Sequence, residues 1–226
     1  MPASNPDRTF AVFYDARFAD GDSAAGATAG STLDRTIGTP LIPGQPAIIE
    51  RYAAGQHALD LNRLGRAEQA AADLRHPRIP ADSSWVAEIP RAYALILEAQ
   101  LAARRHSPDE TRLLAELDSA MTNTSSMSLA SMGNLVLAGL YEDRGDLPRA
   151  LAALRRRAFD HVPFPSYVTY HREEGRIAAL NGDRDGAIRA YRRYLALRSS
   201  AEPRLQPQVA QVRADLDALL RESTDR

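Results

Sequence analysis

Three Gly-Asp pairs, Gly21-Asp22, Gly145-Asp146 and Gly182-Asp183, each stand between two stretches whose apolar residues recur at helical spacing. Glycine supplies the positive φ that ends a helix. Aspartate then accepts a backbone N–H and opens the next one. A chain punctuated this way folds into antiparallel helical hairpins. The clearest is 167–199, with Tyr167, Tyr170, Gly175 and Ala178 before the Asn181-Gly182-Asp183 break and Ala187, Tyr191 and Leu195 after it. A further break falls at Leu64-Gly65-Arg66. Placing one more at His106 by spacing alone gives turn centres at Gly21, Gly65, His106, Gly145 and Gly182, with gaps of 44, 41, 39 and 37 residues by subtraction. Near-constant spacing marks a repeat architecture.

The pattern predicts helix pairs over 7–19 with 23–36, 49–64 with 66–74, 91–105 with 108–121, 129–144 with 147–157, and 166–180 with 184–198. Pro148 falls in a first helical turn, where its missing N–H leaves nothing unpaired. Ser107 and Glu110 have the spacing of a capping box. Residues 37–46 and 77–90, the latter holding Trp85, read as irregular. Beyond Pro203 and Pro207, Leu205, Val209, Val212, Leu216, Leu219 and Leu220 form one apolar stripe. The remaining faces are polar, as a closing helix requires. The expected fold is therefore all-α. It has an N-terminal pair and loop over 1–46, helical repeats over 47–200 and a capping helix over 201–226.

Composition removes several chemistries. All 28 basic residues are arginine, so no P-loop, Schiff-base or kinase lysine exists. Cysteine is absent, which removes disulfides, thiolate nucleophiles and cysteine-ligated metals. The net charge of −1 argues against a nucleic-acid binder working by bulk electrostatics. The N-terminus lacks a secretory pattern, and no stretch reaches the roughly 18 apolar residues of a membrane span. A soluble, cytoplasmic protein is expected.

Gly175, Gly182, Ala187 and Tyr191 stand at four positions that resemble the tetratricopeptide repeat. Leu137, Ala138, Tyr141, Gly145 and Ala150 match in the preceding repeat, with Leu154 replacing the second aromatic. Around Gly65 only Ala58, Gly65, Ala70 and Leu74 fit. Every gap exceeds the family period of about 34. The stretch 172–220 is also similar to the helical-repeat tails of bacterial multidomain signalling proteins, without the kinase or activator domain that precedes them. The resemblance implies a right-handed α-solenoid of about five helix pairs, whose first helices line a concave groove.

Catalytic signatures are missing. The five histidines form no H-E-x-x-H or other close pairing. His171-Arg172-Glu173-Glu174 reads as a solvated or hydrogen-bonded helix face rather than a metal site. Gly21-Asp22-Ser23 is a helix turn and cap, because a nucleophile elbow needs G-x-S-x-G between strand and helix. Arg155-Arg156-Arg157 and Arg192-Arg193 sit near helix C-termini, where cations offset the macrodipole. Tyr170 and Tyr191 read as core; Tyr194 reads as packing between repeats or as surface.

The resemblance places Arg172 and Arg176 on one face of a groove-lining helix, with Glu142 on its neighbour. Two arginines there would hold a carboxylate by forked hydrogen bonds. The alternative is internal neutralisation by Glu142, Glu173 or Glu174. The expectation is a non-catalytic scaffold, with no metal or cofactor, that binds a protein or peptide segment in its groove. A regulatory or sensor region acting with a separate signalling effector is the alternative. Neither nucleic acid nor membrane is expected as a partner.

Overall fold

Gly145 and Gly182 adopt φ of 74° and 77°, and Asp146 and Asp183 accept the N–H groups of Arg149 and Gly186. The stop-and-cap pairs of the sequence thus become two tight corners. A computed structural model describes residues 6–18, 23–39, 45–77, 84–157 and 166–221. Within them run α1 (Pro6–Phe18), α2 (Ser23–Leu33), α3 (Gln45–Asp60), α4 (Leu64–Arg75), α5 (Ser84–Arg105), α6 (Glu110–Asn123), α7 (Met127–Asp143), α8 (Leu147–Arg155), α9 (Tyr167–Leu180), α10 (Arg184–Leu197) and α11 (Gln206–Arg221). No strand occurs among the described residues. The Gly21-Asp22 turn lies outside them.

The other corners correct the sequence reading. At the α3–α4 corner the left-handed residue is Asn62, with φ 54°, and Gly65 lies inside α4. His106, located by spacing alone, does turn the chain, with φ 49°. Asparagine and histidine tolerate this region better than bulky residues do. The Ser107–Glu110 capping box does not form. Ser107 Oγ accepts from Asp109 N at 3.3 Å, while the Glu110 carboxylate reaches Arg144 at 2.8 Å. Helix α5 begins at Ser84 and carries Pro90 inside it, so 84–90 is helical rather than irregular. Helix α3 likewise starts at Gln45, inside the expected loop.

Helices pack neighbour to neighbour. The first helices α1, α3, α5 and α7 touch in series, and each second helix lies between its own partner and the first helix of the next pair. Alanines make this closeness possible: Ala53, Ala54, Ala58, Ala67, Ala70, Ala94, Ala150, Ala153, Ala178 and Ala187 are fully buried. Gly175 serves the same end, since a Cβ there would strike the Tyr191 ring. Between α7 and α9, Tyr170 Oη lies 2.8 Å from Ser131 O and 3.2 Å from Ala130 O. One continuous apolar core extends from Phe13 to Ala187. A second, around Ile188, Tyr191, Tyr194, Val209, Val212 and Leu216, joins α10 to α11.

Polar groups secure the ends. Tyr194 is buried between α10 and α11 and donates to Gln208 Oε1 at 2.8 Å, which makes it inter-helix packing. The Arg184 guanidinium donates to Leu219 O at 2.6 and 3.0 Å, satisfying a carbonyl in the last turn of α11. Buried Arg51 pairs with Asp73 and donates to Thr39 O at 2.9 Å, and the Gly38 N–H reaches Asp73 Oδ2 at 2.9 Å. These contacts pin the segment after α2 to the α3–α4 hairpin.

Helix α1 does more than begin the series. Tyr14 Oη donates to Ser166 Oγ at 2.9 Å and lies 3.3 Å from Ser131 Oγ. The first helix therefore meets α7 and the start of α9, and the row of first helices bends back on itself. No described helix is long and apolar enough to cross a membrane.

Candidate binding groove

The bend borders a half-open cavity of about 750 Å³. Its walls are the inner faces of α5, α7 and α9, with Arg17 of α1 at the far side. On α7 the lining residues include Leu135, Val136, Gly139, Glu142 and Asp143, which share one stripe at helical spacing. On α9 they include Thr169, Arg172, Glu173 and Arg176. The three residues singled out from sequence, Arg172, Arg176 and Glu142, thus face one space.

Their charges are already engaged with one another. Arg176 grips Glu142 in a fork, Nη1 to Oε1 at 2.5 Å and Nη2 to Oε2 at 2.7 Å. Its Nε donates to Glu173 Oε2 at 2.9 Å, and Arg172 Nε donates to Glu173 Oε1 at 3.0 Å. Glu173 is therefore shared between the two arginines. The hydrogen bond to Glu142 raises the Arg176 guanidinium above its ordinary value despite burial. The same bond holds the Glu142 carboxyl below the usual glutamate range. Forked, charge-assisted pairs of this kind are the strong ones.

Sequence reading missed further lining residues, among them Arg144, Arg104, Thr169 and Gly139. Arg144, at the end of α7, is held by Glu110 at 2.8 Å. Arg104 has no ion pair among the described residues; its electrostatic partner is the more distant Asp60, which Arg17 contacts at 3.1 Å. The signal that would have found Arg104 is its i,i+4 spacing from Gln100, which lines the same wall. Thr169 is 7% exposed, and its Oγ1 has no hydrogen-bond partner. Gly139 is the fourth; an added Cβ would meet nothing within 4 Å.

The arginine run elsewhere is occupied internally. Arg155 pairs with Glu174 at 3.1 Å and Asp183 at 2.5 Å, Arg156 pairs with Asp118 at 2.6 Å, and Arg157 pairs with Glu174. His171 is buried edge-on against Tyr167, ring centroids 4.7 Å apart. Among the described residues, no group of three or more His, Asp or Glu side chains is placed to hold a metal.

Fold and groove together define an all-helical array, packed neighbour to neighbour around an arginine-rich inner cavity. The chain matches no protein-family model, and comparison with curated proteins and with solved structures finds no match.

Proposed function

We propose that this chain is a non-catalytic scaffold of the tetratricopeptide type, a right-handed solenoid that captures a carboxylate-bearing peptide segment in its inner cavity. The observation carrying this reading is Arg104, a guanidinium on the cavity wall with no ion pair among the described residues. Five arginines and four carboxylates line the cavity of a chain whose net charge is −1, so the local balance favours an anionic guest. A volume of about 750 Å³ lies within the range of ligand sites.

Calorimetry with glutamate-rich peptides tests the proposal. Arg104→Gln is expected to weaken binding about tenfold or more, as loss of a charge-assisted hydrogen bond does. Arg172→Gln combined with Arg176→Gln is expected to weaken it further. Binding that ignores all three changes, or no binding by any such peptide, removes the reading.

A second reading, a sensor region acting with a separate signalling effector, draws on the seam at Tyr14. A ligand touching both Arg17 and Arg172 bridges α1 and α9 across that seam, and so favours the closed arrangement. A small acid that raises the melting temperature of the isolated chain, in the absence of any peptide binding, supports this reading over the first.

A further inference from the structure

A carboxylate at the C-terminal end of a helix meets the negative pole of the macrodipole, where stability favours a cation. Asp143 is the last residue of α7. It is exposed on the cavity wall and makes no hydrogen bond or ion pair among the described residues. The nearest arginines in sequence and on the facing helix are engaged elsewhere: Arg144 with Glu110 at 2.8 Å, and Arg176 with Glu142 at 2.5 Å. Nine charged side chains line the cavity, and seven of them are held in ion pairs. The two left over, Arg104 and Asp143, carry opposite signs.

Their placement follows from the corners. Asp60, Arg104 and Asp143 each stand two residues before the left-handed residue that turns the chain, which is Asn62, His106 or Gly145 respectively. They therefore share one level on α3, α5 and α7, which touch in series. The row reads acid, base, acid. Asp60 is answered by Arg17 at 3.1 Å. Arg104 and Asp143 stand on touching helices, yet no ion pair joins them among the described residues. The wall thus presents one cation and one anion side by side.

We propose that Arg104 and Asp143 together read an adjacent acidic and basic residue of the bound segment, the carboxylate at Arg104 and the ammonium or guanidinium at Asp143. This inference rests on the peptide reading above and adds to it the charge pattern of the guest. A basic side chain there gains from the Asp143 carboxylate and from the negative end of α7 at once. The acidic neighbour gains a charge-assisted hydrogen bond at Arg104. A purely acidic segment would bring like charge against Asp143, so the same carboxylate that attracts one guest rejects the other. The guest is an acidic segment with one lysine or arginine beside a glutamate or aspartate.

The test is calorimetry on the full chain with end-capped heptapeptides of Glu and Ser, carrying either Lys or Gln at the centre beside a Glu. The Lys peptide is the less negative, so bulk attraction to the arginines would rank it second. The site ranks it first, by about tenfold in Kd. Asp143→Asn is expected to abolish that preference while leaving the Gln peptide bound as well as before or better. Asp143 is exposed and makes no hydrogen bond or ion pair in the chain, so the variant keeps the fold, and its melting temperature should hold or rise. Asp217→Asn, which removes an exposed acid of α11 outside the cavity, should keep the preference. An undiminished Lys preference in Asp143→Asn, or an equal loss in Asp217→Asn, overturns the inference. If both peptides bind and the wild-type protein does not favour Lys, the inference fails while the peptide reading stands. If neither binds, both fail.

Discussion

Tyr14 Oη donates to Ser166 Oγ at 2.9 Å across 152 positions of sequence. Ser166 is fully buried, and burial raises the Tyr14 hydroxyl above the ordinary tyrosine range. This bond joins the first helix of the array to the start of the fifth pair, so that the row bends back on itself.

Tyr14→Phe keeps the ring and removes the donor, leaving Ser166 Oγ buried without it. A loss of about 1–3 kcal/mol is expected, read as a melting temperature lower by about 2–4 °C per kcal/mol for a chain of this size. Amide exchange in α1 should rise while α9–α11 stay protected. Unchanged exchange in α1 would show that the bond does not hold α1 in place.

The Arg176–Glu142 fork makes stability depend on acid. Glu142 has its folded pKa depressed by the hydrogen bond from Arg176. Its contribution is therefore complete above the unfolded glutamate pKa, and it disappears as pH falls through the lower folded value. Glu142→Gln should narrow the difference between urea midpoints measured at about pH 7 and about pH 3. An identical acid dependence in wild type and variant would mean that the fork adds nothing net.

Glycine-to-alanine changes should divide by geometry. Gly182→Ala forces a side chain onto φ 77° and is expected to destabilise by about 1 kcal/mol. Gly175→Ala drives a methyl into the Tyr191 ring, with an expected loss of about 1–3 kcal/mol. Gly139→Ala meets nothing, so it should stabilise by about 0.5–1 kcal/mol. Denaturant midpoints of the three variants test both the order and the signs.

Asp183 has two roles in one carboxylate, accepting from Gly186 N at 2.9 Å and from Arg155 Nη2 at 2.5 Å. Asp183→Ala should cost about 1–2 kcal/mol, mostly from the cap, because the Arg155 pair is partly solvated. Asp183→Ser restores a cap without the charge and should recover most of the loss. A serine variant as unstable as the alanine one would shift the weight to the ion pair.

Corners and caps were legible in the chain because they are local. Gly145-Asp146 and Gly182-Asp183 carry their own φ preference and their own hydrogen-bond acceptor. The closing stripe of α11 was legible because periodicity is a property of one helix. The corner at Asn62 was misplaced onto Gly65, since a glycine also fits inside a helical turn and only the backbone path shows which residue bends. The residues 84–90 were lost to Pro90, although a proline late in the first two turns of α5 leaves the helix intact.

The groove was half legible. Helical spacing put Arg172 and Arg176 on one face, and the family resemblance put Glu142 beside them. Their partners, the place of Arg104 on the facing wall and the contact of Tyr14 with Ser166 were not. Short-range preferences determine where rods begin and end, so the amino-acid order alone yields the rods and their oily sides. How the rods curve depends on many small packing choices added along the row, such as alanine against alanine or glycine under tyrosine. Only that accumulated curvature, seen in the tertiary structure, decides that the first helix returns to the fourth and fifth pairs and borders a cavity.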